Sequence, residues 1–97
     1  MVVKDRRGRR RYIIFRVEGE DIDRRCLLHL LRHTFPRAEE IKLIQFDGKL
    51  GIVRCPHLRQ REVIERLNSI ANGGVKITAL RSSGTLKSLR ERYPIEK

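Results

Sequence analysis

Residues 40–55 read Glu40-Ile41-Lys42-Leu43-Ile44-Gln45-Phe46-Asp47-Gly48-Lys49-Leu50-Gly51-Ile52-Val53-Arg54-Cys55. Two apolar, β-branched runs flank an Asp-Gly pair, which is the strongest short-range hairpin signal. The stretch predicts a strand from Glu40 to Phe46, a tight turn, and a returning strand from Lys49 to Cys55.

Working outward, each arm of this hairpin is preceded or followed by a helix and a further strand. Upstream, Tyr12-Ile13-Ile14-Phe15-Arg16-Val17-Glu18 is β-branched and aromatic, with Ile13, Phe15 and Val17 on one face by period two. Glu18-Gly19-Glu20 ends it, and Asp21 is a suitable N-cap for a helix from about Ile22 to Thr34. Cys26, Leu27, Leu30, Leu31 and Thr34 form its apolar stripe, and Pro36 stops it. Downstream, Pro56 suits the first turn of a second helix. Val63, Ile64, Leu67, Ile70 and Ala71 recur at helical spacing to about Asn72, with Glu62 and Arg66 as an i,i+4 pair on the wet face. Gly73-Gly74 is a C-cap signal, Val75 to Arg81 a fourth strand, and Thr85 to Arg92 a short final helix before Pro94.

The order strand, helix, strand, strand, helix, strand predicts an α+β domain with the ferredoxin-like (RRM-like) βαββαβ sandwich. Right-handed crossovers put both long helices on one face of a four-stranded antiparallel sheet, with a short C-terminal helix added. Residues 1–9 are expected to be a flexible basic arm and 10–97 the single folded domain.

The chain has 97 residues, with 23 Lys plus Arg against 12 Asp plus Glu, a net charge of +11. A protein this basic attracts polyanions, and nucleic acid is the commonest. No apolar run approaches the roughly 18–20 residues of a membrane span, and no secretory signal stands at the N-terminus. Two cysteines, Cys26 and Cys55, are too few for a disulfide framework and read as reduced thiols of a cytoplasmic protein. An apolar content of 39% supports a core.

Several groupings carry candidate chemistry. The basic run Lys4, Arg6, Arg7, Arg9, Arg10 and Arg11 can neutralise phosphates and release counterions, or serve only as a solvated tail. Arg81-Ser82-Ser83-Gly84-Thr85-Leu86-Lys87 turns a strand end into a helix start. Ser83 or Thr85 can cap that helix, while Arg81, Lys87 and Arg90 add charge for a phosphate contact. Leu86, Leu89 and Tyr93 are expected to pack inward.

The third strand carries no aromatic residue, and Tyr12 and Phe15 point to opposite faces, so base stacking on the sheet is disfavoured. Arg16 and Arg54 remain as phosphate ligands on the helix-free face, and Ile14 and Ile52 as a protein-binding alternative there. Cys26, His29 and His33 share a helix face, but Cys26 is expected to pack as a small hydrophobe, so no metal site is assigned. Glu18, Glu20, Asp21 and Asp23 sit where a helix N-terminus favours negative charge, which outweighs a Mg²⁺ site. No catalytic signature is present. An acylphosphatase-like loop is excluded because Glu18-Gly19-Glu20-Asp21 would repel a phosphate.

Arg11 to Val17, then Leu43-Ile44-Gln45-Phe46-Asp47, Gly51-Ile52-Val53-Arg54-Cys55 and Ser83-Gly84-Thr85-Leu86-Lys87-Ser88-Leu89 occur in an order that resembles archaeal ribonuclease P protein component 2. The resemblance spans roughly residues 10 to 93. It implies a non-catalytic subunit that binds the catalytic domain of ribonuclease P RNA and supports removal of the 5′ leader from precursor tRNA. The RNA would perform the hydrolysis with its own Mg²⁺, and the protein would need no cofactor. Implied partners are that RNA, a TIM-barrel-like protein subunit, and a second copy of the chain within a heterotetramer. The residues themselves leave open another RNA binder of this fold, such as a ribosomal protein. They also leave open a protein–protein scaffold with an exposed apolar patch around Leu28 or on the open sheet face.

Overall fold

The computed structural model describes residues 10–19, 22–35, 41–72 and 74–93. The elements run β1 (Arg10–Gly19), α1 (Arg24–Thr34), β2 (Lys42–Phe46), β3 (Leu50–Pro56), a 3-10 turn (His57–Arg59), α2 (Gln60–Asn68), β4 (Ala71–Asn72), β5 (Val75–Ser83) and α3 (Leu86–Arg92). The antiparallel sheet has the order β2-β3-β1-β5-β4. This is the expected α+β ferredoxin-like arrangement of four principal strands, extended at one edge by a two-residue strand.

The alternation of β1 sorts its side chains into two cores. Ile13, Phe15 and Val17 join Leu27 and Leu31 of α1, Val63 and Leu67 of α2, Val53 and Cys55 of β3 and Ile77 of β5. Fully burying such aliphatic side chains contributes about 1.5–3 kcal/mol each. Gly51 lies under the Phe15 ring, leaving no space for a side chain between them. On the other face, Ile14, Ile52 and Leu89 are wholly buried, with Tyr12, Ile44, Leu80, Leu86 and Tyr93 packed around them. Helix α3 therefore roofs the second face. Its Leu86, Leu89 and Tyr93 pack inward as expected. Ile14 and Ile52, read from sequence as a possible protein-binding pair, are instead core residues beneath this helix.

Two β-bulges make that second core. The β1–β5 register passes from Ile14↔Arg81 to Phe15↔Ala79, so Leu80 is an extra residue. The β2–β3 register passes from Leu43↔Val53 to Gln45↔Ile52, so Ile44 is extra. A bulge breaks strict alternation and lets two consecutive residues serve one face. Here Ile44 and Leu80 reach the second core, and Gln45 is carried across to the same side.

Several boundaries differ from the sequence reading. Helix α1 starts at Arg24, not Ile22. Its N-cap is Asp23, whose Oδ1 accepts from the Cys26 N–H at 2.8 Å. Asp21 and Glu20 lie outside the described residues. Cys26 is exposed and stands off the apolar stripe rather than packing in it. Helix α2 ends at Asn68, not Asn72, because β5 captures the chain beyond it. Asn68 Oδ1 accepts from the Ala79 N–H at 2.8 Å, the Ile70 carbonyl accepts from the Ile77 N–H at 3.1 Å, and Ala71–Asn72 pairs as a strand. Gly74, at φ +83°, thus turns a β-hairpin rather than capping a helix, while Gly73 lies outside the described residues. Gly74 is abutted by Gly19, at φ +105°, where a Cβ would overlap the Gly74 carbonyl. In the central hairpin Asp47 opens the turn. Its Oδ1 accepts from Lys49 and Leu50 N–H groups at 2.9 and 2.8 Å, and Gly48 takes the positive φ of +108°.

Candidate nucleic-acid interface

Antiparallel pairing brings the start of β1, the start of β2 and the ends of β3 and β5 to one end of the sheet. The first two residues of β1 are Arg10 and Arg11, and Arg10 lies opposite Pro56. The next register row on the α3 side runs Lys42, Arg54, Tyr12, Ser83 across four strands. Helix α3 covers the following row, that of Ile52 and Ile14. Lys42 and Arg54 are thus the charged part of a row whose Tyr12 packs into the second core. Arg81 on β5 and Lys87 on α3 flank it, both exposed. Glu18, Asp23 and Asp47 lie at the opposite end, where β1 finishes, α1 begins and β2 turns into β3. Arg24, Arg25, Lys49 and Lys76 stand at that end as well, so cations occupy both ends; the Lys42–Arg54 end is set apart by Arg10, Lys42, Arg54 and Arg81 gathering from four neighbouring strands, a geometry that attracts a polyanion.

The expected RNA ligands fall into distinct environments. Lys4, Arg6, Arg7 and Arg9 lie outside the described residues. Arg11, read as part of the basic run, is a half-buried structural residue: its Nε donates to Gln60 Oε1 at 2.6 Å. Its Nη1 lies close enough to Gly84 that a Cβ there would stand 3.1 Å away. Arg11 thereby ties β1 to the start of α2, with its guanidinium beside the turn before α3. Arg16 is exposed and pairs with Glu18 at 3.0 Å. Ser83 Oγ accepts from the Thr85 N–H at 3.2 Å, and Thr85 Oγ1 accepts from the Ser88 N–H at 3.3 Å, so Thr85 is the N-cap of α3. Arg90 is not a free cation. Its Nε and Nη2 donate to Gln45 Oε1 at 3.1 and 2.9 Å, fastening α3 to β2. Gln45 is the buried polar residue among those described. Strict alternation would have placed it in the main core; only the bulge at Ile44 reveals its role.

The remaining groupings are structural. The Asp23 carboxyl is held below its usual value by hydrogen bonds from the α1 amino terminus, chiefly at Cys26. Glu62 pairs with Arg66 at 3.3 Å as the spacing predicted, and also with Arg59 at 2.8 Å. Among the described residues no three His, Cys, Asp or Glu side chains gather as a metal site. Cys55 is buried at the end of β3, and burial pushes its thiol up to about 11. Leu28, expected at an exposed apolar patch, is half-buried and lines a groove of about 380 Å³ with Leu31, Phe35 and Leu43. The exposed large hydrophobic among the described residues is Leu58 in the 3-10 turn, which periodicity could not flag. No described helix is long and apolar enough to cross a membrane.

A small basic domain of ferredoxin-like topology, with cations from four strands gathered at one end of its sheet, is the class these features define. No family model matches the chain. It is 36% identical over 99 residues to ribonuclease P protein component 2 of Archaeoglobus fulgidus, covering 90% of each chain. The chain belongs to the ribonuclease P protein component 2 family. It also superposes on a chain in the cryo-EM structure of yeast ribonuclease MRP with a TM-score of 0.65. That match covers 87% of this chain and 90% of the other at 14% identity, a likeness of fold.

Proposed function

We propose that the protein binds ribonuclease P RNA and steadies its catalytic domain for removal of the 5′ leader from precursor tRNA. The observation that carries this reading is the cationic end itself: in a chain of this family, Lys42 and Arg54 stand in register, with Arg10 at the start of β1 and exposed Arg81 on β5 at the same end of the sheet. A folded RNA active site crowds phosphates that repel one another. A rigid basic surface offsets that repulsion and fixes helices in register, lowering the Mg²⁺ the RNA requires. Hydrolysis belongs to the RNA and its Mg²⁺ in this reading, and the protein contributes binding and positioning. The basic segment Lys4, Arg6, Arg7 and Arg9 adds sequence-independent attraction. A TIM-barrel-like subunit and a second copy of the chain complete the proposed cytoplasmic assembly.

Reconstitution tests this. Added to ribonuclease P RNA with its companion proteins, the chain should restore leader removal at low Mg²⁺. Lys87→Ala should raise the Mg²⁺ requirement. Engaging about 6–10 phosphates should cost about three to five decades of affinity between roughly 50 and 200 mM salt. A flat salt dependence, or leader removal indifferent to the protein, overturns the proposal.

A further inference from the structure

Leu58 projects from the tip of the cationic end with 91% of its surface exposed. It sits two residues beyond Pro56, the register partner of Arg10. Its chain neighbours are His57 and Arg59, the latter paired with Glu62, and Arg61 is exposed on the first turn of α2, so no large exposed apolar side chain among the described residues accompanies it.

The turn that carries Leu58 is held on both sides. The Gln60 N–H closes it onto the His57 carbonyl, and Arg59 grips Glu62 through Nε and Nη2 at 3.1 and 2.8 Å. Gln60 is in turn fixed by Arg11 at 2.6 Å. A leucine offered to water on a clamped turn loses little conformational freedom on binding, so contact there is favoured. A protein hot spot normally lies within a contiguous desolvated patch. A lone apolar side chain at the sheet end that carries Arg10, Lys42 and Arg54 fits a different ligand: a sugar-phosphate chain that follows those cations and presents one unstacked base. Apolar wedges contact unstacked bases in this way, and RNA is read mainly at such splayed nucleotides.

We infer that the cationic end docks a loop or bulge of RNA, with Lys42, Arg54 and Arg81 on its phosphates and Leu58 against an unstacked base. This rests on the RNA-binding function proposed above and adds the part of the RNA recognised and the residue that recognises it.

The experiment measures binding of the full chain to ribonuclease P RNA, and to a plain RNA duplex of similar length, across about 50–200 mM salt. Leu58→Ser should weaken binding to the structured RNA about tenfold at every salt concentration, the scale of exposing one leucine, without changing the salt slope. It should leave duplex binding unchanged. Arg54→Gln should reduce the slope by about one on both RNAs. Lys76→Gln, at the far end of the sheet, should change neither quantity. Equal thermal midpoints for wild type and Leu58→Ser show that the fold is intact, as expected for so exposed a side chain.

Wild-type affinity of Leu58→Ser for the structured RNA overturns the inference. So does a Leu58→Ser defect confined to assembly with companion proteins, which assigns the leucine to a protein contact. An unchanged slope in Arg54→Gln also overturns it. In all three cases a steep wild-type salt dependence leaves the RNA-binding function standing. A wild-type chain that binds neither RNA removes the function and the inference together.

Discussion

Arg90 and Gln45 lie 45 positions apart in the chain and meet through one acceptor: both guanidinium donors converge on Gln45 Oε1, at 3.1 and 2.9 Å. The pair joins the last helix to the edge strand β2, across a face whose core contains only a few apolar side chains. A seven-residue helix is not stable alone, so α3 persists through its docking. Gln45→Ala should therefore cost about 1 kcal/mol of stability, the net worth of a hydrogen bond whose exposed donor can return to water. Amide exchange should accelerate selectively in residues 86–92. Urea denaturation and hydrogen exchange check this; uniform exchange across the chain would deny the latch.

Gly51 and Phe15 define a steric limit in the main core. A Cβ on Gly51 would stand 2.8 Å from Phe15 Cε1, and Phe15 is fully buried with no space to swing. Gly51→Ala should destabilise by about 1–3 kcal/mol, as overpacking does. The check is the urea midpoint at constant m-value.

The two thiols should separate by reactivity. Cys55 is buried, and with its thiol pushed up to about 11 it remains protonated near neutral pH. Cys26 is exposed. A disulfide reagent at pH 8 should titrate one thiol in the native protein and the second only on unfolding, because the thiolate is the reacting form. Two fast thiols in the native state would contradict the burial of Cys55.

Asp23 gives a pH dependence of definite sign. Its carboxyl titrates below the usual 3.8 because amide hydrogen bonds at the start of α1 favour the charged form. A depressed carboxylate contributes stability that is complete above its unfolded value and is lost as pH falls through the folded value. Asp23→Asn keeps a capping oxygen but not the charge. The stability difference between wild type and Asp23→Asn should be constant above about pH 5 and shrink below pH 4. Denaturation curves at a series of pH values measure it; a difference that grows on acidification would reverse the assignment.

Element order, hairpin position and the main core were legible because they follow from period-two alternation in β1 and period-3.6 apolar spacing in the helices. What alternation could not show were its own interruptions. The bulges at Ile44 and Leu80 shift Gln45 and Arg81 relative to the pleat, and no local signal in either strand marks them. The end of α2 was overestimated because Ile70 and Ala71 continue the helical spacing. The hydrogen bonds that β5 offers to Asn68 and Ile70 are long-range and invisible to a local pattern. Of the candidate interface, the basic residues were legible singly. Their convergence depends on register, and long-range hydrogen bonds to Gln60 and Gln45 set Arg11 and Arg90 apart from Arg10, Arg81 and Lys87.

With α1 and α2 beneath the sheet and α3 over Ile14 and Ile52, the upper face stays open past Arg16 and Glu18. Toward the other end the molecule offers a rim that carries Arg10, Lys42 and Arg81. Such a rim suits entry edge first, as a peg enters a socket, and a shortened α3 would bare Ile14 and Ile52 and turn the peg into a plate.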